Sequence, residues 1–282
     1  MLGSNGRKPE NPRELLNYWI NEREGIRRQK EAGLPKPWTD DWVFQTTYFC
    51  NVRREDDRVT RWLRANWLVL DGTYEFAMVL ARLINRPSTL EKIGYPYLGF
   101  NNLYRDRLID LGKTLKPFWG NAYVVTTHGQ PIDKLSYLIG LLEGAHKVLP
   151  FTGLAPTCSA WHRAFKTLEG FSDFMAAQIV ADLKNTSFHP LAKAEDWRTF
   201  VAPGPGSRRG MSWYFNGKSN VAIKPKHFVE CIQEIRSGLE DMGNEVIHTL
   251  CNQDLQNCLC EFDKYMRVRN GTGRSKRKYN GR

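Results

Sequence analysis

Three glycines and two arginines fall within seven residues, Gly204-Pro205-Gly206-Ser207-Arg208-Arg209-Gly210, just behind Ala202-Pro203. Proline and glycine fix a loop there, glycine lets a ligand approach the backbone, and the arginines deliver permanent charge. Guanidinium forks suit phosphate or pyrophosphate. The segment therefore predicts an anion site with Arg208 and Arg209 as its cations and Gly204 and Gly206 as its bare backbone. The competing reading is a rigid surface turn with solvated arginines.

A second cluster runs Phe49-Cys50-Asn51-Val52-Arg53-Arg54-Glu55-Asp56-Asp57-Arg58-Val59-Thr60-Arg61. On one continuous helix Arg54, Arg58 and Arg61 share a face at i, i+4 and i+7, which predicts substrate contact through Asn51, Arg53, Arg54 and Arg58. Pairing of these arginines with the neighbouring carboxylates on a solvated surface accounts for the same spacing. A third pattern is Leu168-Glu169-Gly170-Phe171-Ser172 followed by Asp173-Phe174-Met175-Ala176-Ala177. Helix, tight glycine turn and small-residue helix make a helix-hairpin-helix, whose Gly170–Ser172 turn and second helix start can hold a DNA phosphate without reading sequence. An ordinary αα-hairpin has the same pattern.

Charge points the same way. Lys and Arg number 41 against 30 Asp and Glu, for a net +11. Seven positive charges, among them Arg274, Lys276, Arg277 and Lys278, fall in residues 267–282 without an intervening acid, so the rest of the chain carries only +4. A concentrated basic tail suits a polyanion such as nucleic acid, and a solubilising tail is the plainer alternative. Cys251, Cys258 and Cys260 lack the spacing and the fourth cysteine of an iron–sulfur loop and read as core residues. Cys158 and His162 stand four apart, but no second ligand pair follows, so no metal is expected. The sequence has neither a G-x-x-x-x-G-K-[ST] phosphate loop nor a G-x-S-x-G nucleophile elbow.

The elements that must position these residues are helical. Asn11-Pro12 starts a helix that Gly33 closes, and its many charges predict a surface location. Val59, Trp62, Leu63, Trp67 and Leu70 mark one apolar helix face. Another helix follows Thr73, and Ser88-Thr-Leu-Glu91 reads as a capping box. Further helices are predicted at 101–115, 132–148, 158–168, 173–184, 225–242 and 253–266, with Ala122–Thr127 the one strand-like run. The fold class is therefore all-α. The reading divides the chain into an N-terminal helical extension (1–39), a helical domain (40–266) and the basic tail (267–282). The composition, 41% hydrophobic and 25% charged, is that of a globular protein, and 282 residues suffice for one large domain or two small ones. No apolar run reaches the ~20 residues of a bilayer span. The first residues lack the apolar core of a signal peptide, and six scattered cysteines fit a reducing compartment, so a cytoplasmic location is expected.

Three segments, FCNVRREDDRVTRW, DW…APGPGSRRGM and FDKYMRVRNGTGRSKRKYNG, lie in order between about residues 40 and 282. Together they resemble the phage α-glutamyl/putrescinyl-thymine pyrophosphorylases, or amino acid:DNA transferases, which are related to helix-hairpin-helix DNA glycosylases. A sister group with a similar early motif is the helical domain attached to hydroxymethyluracil DNA kinases. The hairpin here departs from the glycosylase pattern, with Glu169 for its proline and Ser172 for its second glycine.

The resemblance implies a glycosylase-like body of two helical lobes with a DNA cleft, working as a monomer in the host cytoplasm. It implies a transferase that displaces pyrophosphate from pyrophosphorylated hydroxymethyluracil in double-stranded DNA, with an amino acid or polyamine as co-substrate and no cofactor. The target base must leave the stack. Arg208 and Arg209 would receive the departing pyrophosphate, and Asp196 would serve the amine as base or as anchor of its ammonium form, with Asp182 and Asp173 as alternates. A base-excising glycosylase and a non-catalytic DNA-binding protein are the alternatives.

Overall fold

Asn11 Oδ1 accepts the Arg13 amide at 3.0 Å, and Pro12, whose missing N–H costs nothing there, takes the first helical position. This first helix, α1 (Pro12–Glu31), belongs to a computed structural model that describes residues 9–69, 71–121, 126, 127 and 129–273. Eleven more α-helices follow among the described residues. They are α2 (Trp42–Thr46), α3 (Arg58–Asn66), α4 (Tyr74–Ile84), α5 (Pro87–Ile93), α6 (Asn102–Thr114) and α7 (Lys134–Val148), then α8 (Cys158–Phe165), α9 (Asp173–Lys184), α10 (Pro205–Asn216), α11 (Phe228–Asp241) and α12 (Asn252–Arg269). The described residues contain no strand, so the fold is all-helical. Residues 122–125 of the strand-like run lie outside the description, and Thr126 and Thr127 are irregular.

The described residues form two units, one of residues 9–54 and 201–273, the other Glu55–Phe200. In the first, α1 is no surface helix: Leu15, Leu16, Trp19 and Ile20 are at most 1% exposed and pack with Phe44, Met211, Ile235 and Phe262. Most of the charges that suggested exposure occupy its other face, Glu24 being buried with the apolar residues, and one apolar stripe is enough to bury one side of a helix. Helix α12 is the spine of this unit, with α10 laid along it and α1, α2 and α11 around it.

In the second unit α4 is buried at every position, which marks it as the central helix, packed by α5, α7 and α9. Two starts differ from the local signals. Helix α5 begins with Pro87 after Arg86, so Ser88 lies in its first turn and is not its cap, because proline's fixed φ is already helical. The predicted loop at 204–210 is the start of α10.

Candidate functional site

Gly204 is the extended N-cap of α10, and its amide donates to Ser207 Oγ at 3.2 Å while Pro205 opens the helix. Gly206 and Gly210 stand one turn apart and face α12. A Cβ on Gly206 would lie 3.1 Å from Cys260 Sγ, and one on Gly210 would lie 2.7 Å from the Leu259 carbonyl carbon. The glycines thus bring two helix backbones together, and that packing offsets their entropic disadvantage within a helix. Their role in forming a bare phosphate-binding loop gives way to close helix packing.

Arg208 and Arg209 fall near the start of α10, whose first turn holds no acid. Positive charge at a helix N-terminus opposes the macrodipole, so the pair calls for a counter-charge. Arg209 finds one within the protein. Its Nε donates to Asp263 Oδ2 at 2.9 Å, an oxygen that Arg267 Nε also reaches at 3.2 Å, while Trp213 Nε1 donates to Oδ1 at 3.3 Å. Two arginines share this one fully buried carboxylate, leaving an excess of positive charge. Arg208 is half-buried and makes no side-chain hydrogen bond or ion pair with any described residue. Positive charge near a helix N-terminus favours an anion there.

The early segment is secured chiefly by α1 and α12. Arg23 holds Asn51 Oδ1 and donates to the Cys50 carbonyl at 3.0 Å. Glu261 accepts the Cys50 amide at 3.0 Å, Asn257 donates to the Asn51 carbonyl at 2.9 Å, and Asp254 accepts the Arg54 amide at 2.7 Å. Arg53 pairs with Glu24 Oε1 at 2.9 Å and donates to Thr249 Oγ1 at 2.8 Å. Burial works against the Glu24 charge, but hydrogen bonds from Arg27 and Arg53 prevail and lower its pKa to about 2. Arg53 thus forms its ion pair with Glu24, 29 residues upstream. The face shared by Arg54, Arg58 and Arg61 does not form: Arg54 is buried in a separate 3-10 turn (Arg54–Asp56), and Asp57 starts α3 afresh. Arg58, at the first position of α3, is exposed and has no side-chain partner among the described residues.

In the second unit Gly170 joins α8 to α9 at φ +78°, and a Cβ there would stand 2.8 Å from Leu141 Cδ2. Ser172 is the N-cap of α9, and its hydroxyl makes no capping hydrogen bond. His162 Nε2 meets the Asp173 carbonyl at 3.0 Å, and Lys166 Nζ pairs with the Asp173 carboxylate at 2.6 Å, so the hairpin is clamped at its mouth. Asp196 caps α8: its carboxylate accepts the Cys158 amide at 2.7 Å, the Ser159 amide at 2.9 Å and Ser159 Oγ at 2.7 Å. Burial opposes its charge, yet these bonds outweigh burial and keep it below the usual carboxylate range. Asp182 is committed elsewhere, in a buried pair with Arg82 that Thr60 Oγ1 joins by donating to Asp182 Oδ1 at 2.8 Å. Arg82 also reaches Asp57 Oδ1 at 3.1 Å.

Asp196 therefore belongs to the second unit and Arg208 and Arg209 to the first. The chain passes between units at Arg54/Glu55 and at Phe200/Val201, so a motif segment lies at each crossing. Arg274, Lys276, Arg277 and Lys278 lie outside the described residues, while Arg267 and Arg269 end α12, which meets no helix breaker before Gly271. Cys258 is fully buried and burial pushes its thiol well up; Cys260 is pushed up to about 12 for the same reason. Among the described residues no group of three or more His, Cys, Asp or Glu could hold a metal ion, and no helix is long and apolar enough to cross a membrane. Sequence reading missed the α12 acids. Asp254 and Glu261 face the early segment and Asp263 faces α10, and their helical spacing was the available signal.

Residues 11–275 match the family described as the helical domain of 5-hmdU DNA kinase. A 5-hmdU DNA kinase of Bacillus phage SP10 is 26% identical over 293 residues, covering 92% of this chain and 46% of the relative. The chain thus spans about half the length of that curated relative. No solved structure matches it. Of the two groups that the motifs resemble, the family match falls on the second, and over nearly its whole length the chain belongs to the family of the 5-hmdU DNA kinase helical domain.

Proposed function

We propose that this chain is a DNA-hypermodifying enzyme that transfers an amine to pyrophosphorylated hydroxymethyluracil in DNA and releases pyrophosphate. The amine nitrogen bonds to the 5-methylene carbon, the carbon–oxygen bond to pyrophosphate breaks with its electron pair leaving on pyrophosphate, and the amine gives up one proton. Charge grows on the leaving oxygen, so the site must place cations there in advance. Arg208 carries the reading: it is a half-buried guanidinium near a helix start with no side-chain partner among the described residues. Arg209, tied to Asp263, adds positive field from a fixed position. Asp196, whose charge caps α8 within the second unit, is the residue that the motif resemblance puts forward for the amine. The Gly170 hairpin and the basic residues 274–278 hold DNA by its phosphates. Membership in a family named for 5-hmdU DNA supports the substrate, and the motif resemblance supports the transfer.

The family match also favours a second reading, in which the chain presents hydroxymethyluracil in DNA to a kinase. Mass spectrometry of nucleosides separates them. DNA carrying pyrophosphorylated hydroxymethyluracil, incubated with the protein, mixed amino acids and putrescine, should yield a conjugated nucleoside. An abasic site would make the protein a glycosylase, and unchanged DNA would leave it a binding module.

A further inference from the structure

Helix α3 carries Arg58, Arg61 and Arg64, all exposed, and no acidic residue. Arg58 and Arg61 have no side-chain partner among the described residues, and Arg64 meets Glu55 across 3.5 Å at the surface. Between them Trp62 begins a chain of rings. Trp62 packs edge-on against Trp67 (5.4 Å between centroids) and Trp67 edge-on against Tyr95 (5.5 Å), and the Tyr95 ring is tilted against Tyr97 (4.8 Å). The chain ends in a tight turn in which the Gly99 amide donates to the Pro96 carbonyl at 2.8 Å, with Gly99 at φ +67°. The two residues between them point outward: Tyr97 is 64% and Leu98 79% exposed.

The turn is stiff. Tyr95 Oη donates to Asp71 at 2.7 Å, Tyr104 Oη to the Gly94 carbonyl at 2.8 Å, and a side chain at Gly99 would strike the His146 ring. Leu68, after Trp67, is exposed as well. Large apolar side chains clustered on a rigid turn are not needed for folding and mark a contact surface. The arginines of α3, the helix from which the ring chain starts, fit a polyanion, and rings interleaved with arginines are how proteins engage nucleic-acid bases and backbone together.

We propose that this face of the second unit binds duplex DNA. Arg58 and Arg61 take backbone phosphates, and the Tyr97-Leu98 turn enters the base stack where the modified base leaves it. The inference rests on the reading that the protein acts on a base in DNA. Such a base is unreachable inside a duplex, and an apolar wedge stabilises the opened step.

The test uses a duplex with 2-aminopurine beside hydroxymethyluracil, read by fluorescence for unstacking and by anisotropy for affinity. The wild-type protein should raise the fluorescence severalfold. Tyr97→Ala/Leu98→Ala should bind within about threefold of wild type yet lose most of the rise, and Leu98→Met, which keeps the bulk, should retain it. Arg58→Ala/Arg61→Ala should lower affinity about tenfold and flatten the salt slope by roughly two contacts at ~0.9 each. All four positions are exposed, so melting curves should match wild type. Full unstacking by the alanine wedge variant, an unchanged salt slope in the arginine variant, or no DNA binding by wild type would overturn the proposal. Wild-type unstacking without amine transfer would overturn the transferase reading and leave this one standing; transfer with an inert wedge would do the reverse.

Discussion

Gly210 lies so close to Leu259 that a Cβ on it would stand 2.7 Å from the Leu259 carbonyl carbon. Backbone meets backbone there, and neither helix can yield without moving the core that α10 and α12 share. Gly210→Ala should therefore destabilise the protein by about 2–4 kcal/mol despite alanine's better helix propensity. Gly206→Ala, which meets the side-chain sulfur of Cys260 at 3.1 Å, should cost much less. Urea denaturation of the two variants checks the order.

Arg208 and Arg209 should separate in their effects. Arg208→Ala removes a side chain with no partner among the described residues, so stability should stay within about 0.5 kcal/mol while transfer falls at least a hundredfold. Arg209→Ala should also lower the melting temperature, because buried Asp263 loses one of its two arginines. Arg208→Lys keeps the charge but loses the fork and should already slow transfer. Affinity for unmodified DNA, measured alongside, should barely change for Arg208→Ala.

Asp196→Asn keeps the shape of the α8 cap but halves its acceptors and removes its charge. The variant should melt earlier, at a loss of about 1 kcal/mol. If Asp196 also anchors the amine, turnover should drop and the KM for the amine should rise. Early melting with normal kinetics would leave it a capping residue alone.

The buried Arg82–Asp182 pair should behave as one unit. Arg82→Met strands a carboxylate that is 1% exposed and should cost about 3–5 kcal/mol. Arg82→Met/Asp182→Leu should recover more than half of that loss. A double-mutant cycle in urea reads the coupling.

Glu24 sets an acid limit. Its carboxyl titrates near 2 in the folded protein against an ordinary 4.5, so its contribution is complete above pH 4.5 and disappears as pH falls toward 2. The gap corresponds to about 3 kcal/mol. Denaturation at pH 6 and pH 3 should show wild type losing stability relative to Glu24→Gln, since glutamine has no charge to lose.

Much of the fold is legible locally. Asn11-Pro12, the Val59–Trp67 spacing and the Gly170 turn between α8 and α9 specify helices through caps, periodicity and positive φ, which depend on near neighbours alone. The all-helical class and the arginine-rich segments follow from the same local signals. What α10 is could not be read this way. Gly204-Pro205-Gly206 has the composition of a loop, and only α12, with Cys260 against Gly206 and the Leu259 backbone against Gly210, makes it a helix. Tertiary structure likewise decides among chemically equal arginines. Arg53 is paired because Glu24 folds onto it, Arg209 because Asp263 does, and Arg208 and Arg58 remain without a side-chain partner among the described residues. Charge is written in the residue, but whether that charge is spent inside the protein or offered to a ligand depends on partners 29 to 54 residues away, and only folding brings those into range.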